Sequence, residues 1–143
     1  MATSAQYVTT PVIEITQGTT ADTSRTAPTA GNTYLICQGP SNYSASGIGK
    51  RITRVTVAAT GTTTAGVIRF WISVDTGTTK RLILEKIIIA NTPSTTNPVV
   101  RFDVPELVGL VLPGLTSPNY VTSLYATTNN TETFNFLVES GQL

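Results

Sequence analysis

From residue 33 onward, apolar residues recur at every second position in short runs that end at turn-forming residues. This rhythm commits the chain to β-structure. The clearest run places Ile68, Phe70, Ile72 and Val74 on one parity and Arg69, Trp71, Ser73 and Asp75 on the other. A strand points alternate side chains to opposite faces, so the first set marks a core side and the second an outer side. Similar patterns occur in Arg51 to Ala59, Val100 to Val104 and Phe134 to Val138, with Tyr34 to Cys37 and Tyr120 to Ala126 as further strands. No segment sustains a helical period over three turns. Eight or nine strands predict an all-β, antiparallel β-sandwich. A jelly-roll arrangement is favoured over an immunoglobulin-like one, because no Cys…Trp…Cys spacing supports the latter.

Two stretches break the rhythm. In the run from Lys80 to Ala90, Leu82 and Leu84 lie on one parity and Ile87 and Ile89 on the other. Strict alternation would leave one pair in water, which predicts a bulge or bend near Glu85. The first thirty-one residues are polar, and only Val12-Ile13-Glu14-Ile15 reads as a strand. Residues 1–31 are expected to form an extended N-terminal arm or edge segment, and residues 32–143 the sandwich domain. The competing reading makes the segment a first strand and loop packed on the domain.

Composition removes most catalytic chemistry. Threonine fills about one position in five, and the chain has no histidine, one cysteine and 12% charged residues. Threonine is β-branched and suits a pleated, half-buried surface. Without histidine there is no Ser-His-Asp triad, no Cys-His pair and no imidazole metal ligand. We expect no enzyme activity, no cofactor and no metal. A net charge of +1 gives no reason to expect a nucleic acid or a membrane surface as partner. Cys37, in the apolar run Tyr34-Leu35-Ile36-Cys37, is expected to be a buried, inert thiol with no disulfide partner. Met1 to Gln6 lack the features of a secretory signal, and no apolar run approaches the ~20 residues that span a bilayer. Synthesis in a cytoplasm is the expectation.

The remaining motifs are weak. Ser46-Gly47-Ile48-Gly49-Lys50-Arg51 has glycines and a lysine, but lacks the upstream glycine and the hydroxyl residue of a phosphate loop. The eight acidic residues mostly sit on outward parities beside Lys or Arg, which reads as cross-strand pairing rather than a glycosidase pair. Asn42-Tyr43-Ser44 and Asn129-Asn130-Thr131 match the glycosylation triplet. Trp71, between Arg69 and Ser73 on the outer parity, has the composition of an interface anchor, unless a second sheet or the N-terminal segment covers it. Arg25, Arg69, Trp71, Tyr120 and Tyr125 are the candidate partner-binding residues.

Several stretches together resemble small virion structural proteins of tailed bacteriophages. They are Ala21 to Pro28, Ala59 to Arg69, Asn91-Thr92-Pro93-Ser94 and Thr128 to Asn135. The resemblance spans most of the chain from about Asp22 onward and is one of style and short phrases. It implies a capsid decoration (cement) protein of the virion that binds the major capsid protein or other virion proteins, often as a homotrimer. A tail or fibre module that binds a host receptor or glycan is the alternative, with Trp71, Tyr120 and Tyr125 stacking on sugar rings. A hydrolase built on carboxylates alone is a third reading.

Overall fold

The computed structural model of the chain describes residues 10–40, 49–114 and 120–143. Within them nine strands run in order: β1 (Thr10–Gly18), β2 (Tyr34–Gln38), β3 (Lys50–Ala59), β4 (Gly66–Ser73), β5 (Arg81–Ile88), β6 (Arg101–Asp103), β7 (Val111–Leu112), β8 (Ser123–Thr128) and β9 (Phe134–Gln142). They form two antiparallel sheets. The first has the order β1-β9-β3-β6, with β7 paired to β3, and the second has the order β2-β8-β4-β5. Successive strands cross between the sheets except at β4–β5 and β6–β7, which is the double Greek-key path of a jelly roll. Between β6 and β7 a 3-10 turn, Pro105–Leu107, leads into the two-residue β7.

The core lies between the sheets, where the alternation placed it. Val55, Val57, Phe134, Phe136 and Val138 of the first sheet face Ile36, Ile68, Phe70, Leu124 and Ala126 of the second, all fully buried. Each large apolar side chain there contributes about 1.5–3 kcal/mol by leaving water. Cys37 is buried among them. Burial, and the Glu14 carboxylate beside it, push its thiol up to about 12.

The N-terminal segment is part of the sandwich over the described residues. β1 is the edge strand of the first sheet and pairs with β9 through nine positions, from Thr10↔Gln142 to Gly18↔Phe134. Residues 1–9 lie outside the described residues. The register of β1 turns Glu14 inward, where Lys50 Nζ stands 3.4 Å from Glu14 Oε1. It turns Ile13 and Ile15 outward, at 65% and 66% exposed.

The bulge in the second sheet sits two residues before the expected place. Pairing is regular at Arg69↔Glu85 and Phe70↔Leu84, then shifts so that Trp71 faces Leu82 and Ile83 is the extra residue. Because alternation continues through Glu85, Ile87 and Ile89 stay on the outer side, 77% and 63% exposed.

Candidate functional site

The outer face of the second sheet carries Arg69 and Trp71 on β4, beside Tyr125 and Thr127 on β8. The segment between β1 and β2 crosses this face. Asp22 N donates to Thr128 O at 2.7 Å, and Arg69 Nη1 donates to Asp22 O at 3.1 Å. Further along, Arg25 Nε donates to Glu85 Oε1 at 2.8 Å. Thr26 to Pro28 then form one wall of a small cleft whose other wall is Thr78 to Arg81.

Asp22 folds this segment. Its Oδ1 accepts from Ser24 N at 2.8 Å and its Oδ2 from Thr29 N at 2.6 Å, closing the loop onto one buried carboxylate. An Asp in this place satisfies backbone donors that no strand can reach.

This cover decides Trp71 for the covered alternative and takes Arg69 off the surface. Trp71 has no exposed surface, and its Nε1 donates to Thr127 Oγ1 at 3.0 Å. Arg69 is 3% exposed and donates through Nε to Glu85 Oε1 at 2.8 Å. Both are internal groups, taken from the surface by a segment too polar to announce that it packs. Arg25 remains exposed while it holds Glu85 from the solvent side. The hydrogen bond from Arg25, and then that from Arg69, hold the Glu85 carboxyl below the usual range.

The three aromatic residues do not form a sugar-stacking platform. Trp71 is buried, Tyr120 is 42% exposed, and Tyr125 is half-buried with Lys80 Nζ 4.9 Å from its ring centroid.

The neighbouring turn between β4 and β5 is organised by Asp75. Its Oδ1 accepts from Ser73 Oγ at 2.7 Å and from Thr79 N at 2.8 Å, while Thr76 and Gly77 take positive φ of 56° and 83°. The Thr79 hydrogen bond, and then the Ser73 hydroxyl, lower the carboxyl from 3.8 to about 2. A depressed folded value means that Asp75 stabilises the fold above pH 3.8 and loses that contribution as pH falls through about 2. The Asp75→Asn variant should therefore show a shallower fall in urea midpoint across that window than the parent chain. Equal slopes would show that the turn does not hold the carboxylate.

Threonines and asparagines in the connections at one end of the sandwich tie those loops together. Thr64 N and Oγ1 both donate to Glu132 Oε1, at 2.7 and 2.6 Å, and Asn130 Nδ2 donates to Thr64 O at 2.8 Å. Thr63 pairs with Asn91 through both backbone groups, and its Oγ1 donates to Ile89 O at 2.7 Å. Asn129 Oδ1 accepts from Val67 N at 2.6 Å, so the Asn129 amide is engaged in the fold. The triplet at Asn42 lies outside the described residues. So do Ser46 to Ile48 of the glycine-rich stretch, whose Lys50 opens a strand and faces Glu14. Among the described residues, no three of Cys, Asp and Glu come together in a way that could hold a metal ion. No helix there is long and apolar enough to cross a membrane.

Two apolar surfaces escaped the candidate set. On the second sheet, Ile83, Ile87 and Ile89 line the outer side of β5, the edge strand. A groove beside them, between the edges of the two sheets, is lined by Ile87, Ile89, Val100 and Phe102 together with the charged Glu85, Lys86, Arg101 and Asp103. On the first sheet, Ile13 and Ile15 stand next to Leu137. The parity conflict at Glu85 was the signal for the first surface. For the second, Val12 and Ile13 are both apolar, so sequence alone does not say which faces out.

No protein-family model matches the chain, and no curated protein matches it. A solved structure of infectious bursal disease virus, Gt strain, holds a chain that is similar over 99% of this chain and 34% of its own length, at 14% identity and a TM-score of 0.38. This chain thus spans about a third of that protein's length, and a likeness of this degree carries no functional inference.

Proposed function

We propose that the chain is a non-enzymatic structural subunit of a virion, a capsid decoration (cement) protein that binds the major capsid lattice. The supporting observation is the outer side of β5. Ile83 and Ile87 on the edge strand, and Ile89 just beyond it, are 43%, 77% and 63% exposed, beside a groove in which Val100 and Phe102 stand among Glu85, Lys86, Arg101 and Asp103. An edge strand offers unpaired backbone groups, and soluble proteins usually blunt such an edge because it invites strand addition. Here the ion pair of Lys86 Nζ with Glu106 Oε1, at 2.7 Å, leaves the three isoleucines uncovered. A lattice subunit that presents an extended segment would fill this edge.

Particles assembled in cells that produce the chain should carry it as a regular array in electron micrographs. The double variant Ile87→Lys, Ile89→Lys should lose most of its occupancy while its melting temperature stays within a few degrees of the parent. Particles without the chain, or undiminished occupancy of the double variant, would sink this reading.

A further inference from the structure

The first sheet presents a second unpartnered surface, distinct from β5 and independent of any capsid. Its outer side divides into two strips. Along β1 and β9 run Ile13, Ile15 and Leu137, with Glu139 opposite Ile13, and along β3 and β6 run Arg54, Thr56, Arg101 and Asp103. A shallow cleft between the strips is lined by Ile15, Leu137, Asn135 and Glu139 on one side and by Arg54, Thr56 and Arg101 on the other.

We propose that this face binds a second copy of the chain about a two-fold axis. The charges support a self-interface rather than an acidic or basic partner. Arg54 stands 3.6 Å from Asp103 Oδ1 and 3.9 Å from Glu139 Oε1, and Thr56 Oγ1 donates to Asp103 Oδ1 at 2.6 Å. The strip therefore carries both signs, with Arg54 paired within one subunit and Arg101 near Asp103 without an ion pair at contact distance. At the rim of an interface these charges stay in reach of water, which avoids the cost of burying a lone charge. A face of mixed sign is complementary to its own rotated copy.

The geometry also sets the strength. An axis across the strands lays Ile13, Ile15 and Leu137 of one copy on the same residues of the other, with the ionic strips at the rim. Strands β1, β9 and β3, of nine to ten residues, and the three-residue β6, about 4.8 Å apart at about 3.3 Å per residue, make a face of roughly 500 Å². Two such faces bury about 1,000 Å², the size of a weak, transient interface. An interface of this size is weak and reversible.

Sedimentation velocity from the micromolar to the millimolar range tests this on the purified full chain. The expected result is a monomer–dimer equilibrium that Ile13→Lys and Ile15→Lys each weaken by about tenfold or more, and that Ile87→Lys leaves unchanged. Both β1 side chains are exposed, so circular dichroism and melting should match the parent. Four results would overturn the proposal: a monomer at all concentrations, association indifferent to both β1 variants, association lost only with Ile87→Lys, or a trimer. Because no particle is involved, its failure is separable from failure of the capsid reading.

Discussion

Replacing Trp71 by alanine should destabilise the folded chain by about 3–5 kcal/mol, the range for truncating a buried Trp or Phe. For a domain of this size that is a drop in melting temperature of roughly 10–15 °C. Trp71 is fully buried on the outer side of the second sheet, where the β1–β2 segment lies over β8, β4 and β5. Truncation therefore opens a void under a segment held by hydrogen bonds, with few apolar groups to collapse into it. Urea unfolding followed by far-ultraviolet circular dichroism measures the loss. In the parent, the single tryptophan should emit at short wavelength and shift to the red only as the chain unfolds. A loss under about 1 kcal/mol, as for a surface site, would show that the segment does not cover Trp71.

Asp22→Ala should cost about 3 kcal/mol. The carboxylate accepts from Ser24 N and Thr29 N, and a hydrogen bond to a charged group is worth about 1.5–3 kcal/mol. Alanine leaves both donors to find water in a segment that is only partly exposed. Asp22→Asn should fall between, because its amide nitrogen cannot accept the Thr29 donor while its oxygen still serves Ser24. The effect should also be local. Trp71 fluorescence in folded Asp22→Ala should become accessible to a neutral quencher, and proteolysis should begin near Thr26. A variant equally unstable but with Trp71 still shielded would mean that Asp22 stabilises the loop without holding it on the sheet.

These two residues show where sequence reading stops. The strands of the sandwich were legible because each core strand alternates cleanly, as in Ile68-Arg69-Phe70-Trp71 and Phe134-Asn135-Phe136-Leu137. Sheets built of such strands are apolar on one face and bury it against each other, so the sandwich followed. The cover over Trp71 was legible only as one of two alternatives, and the residues that make it were not. It is made by Asp22, Ser24 and backbone amides, and hydrogen bonds of that kind leave no periodic trace. The orientation of β1 was hidden for another reason. Val12, Ile13 and Ile15 are apolar on both parities, and only the pairing with β9 decides that Ile13 and Ile15 face out. The bulge at Ile83 was anticipated in kind, but its position depends on the pairing of β5 with β4.

The place of β9 between β1 and β3 also governs the order of events during synthesis. Among the nine described strands β1 is made first, yet its ladder partner is β9, the last of them to be made. At about 5–20 residues per second, the ribosome leaves β1 without that partner for roughly 6–25 s. Pairings of such sequence separation also close slowly once both strands are present. The first sheet therefore closes late, and until β9 arrives Val12, Ile13 and Ile15 are an open invitation to neighbouring nascent chains.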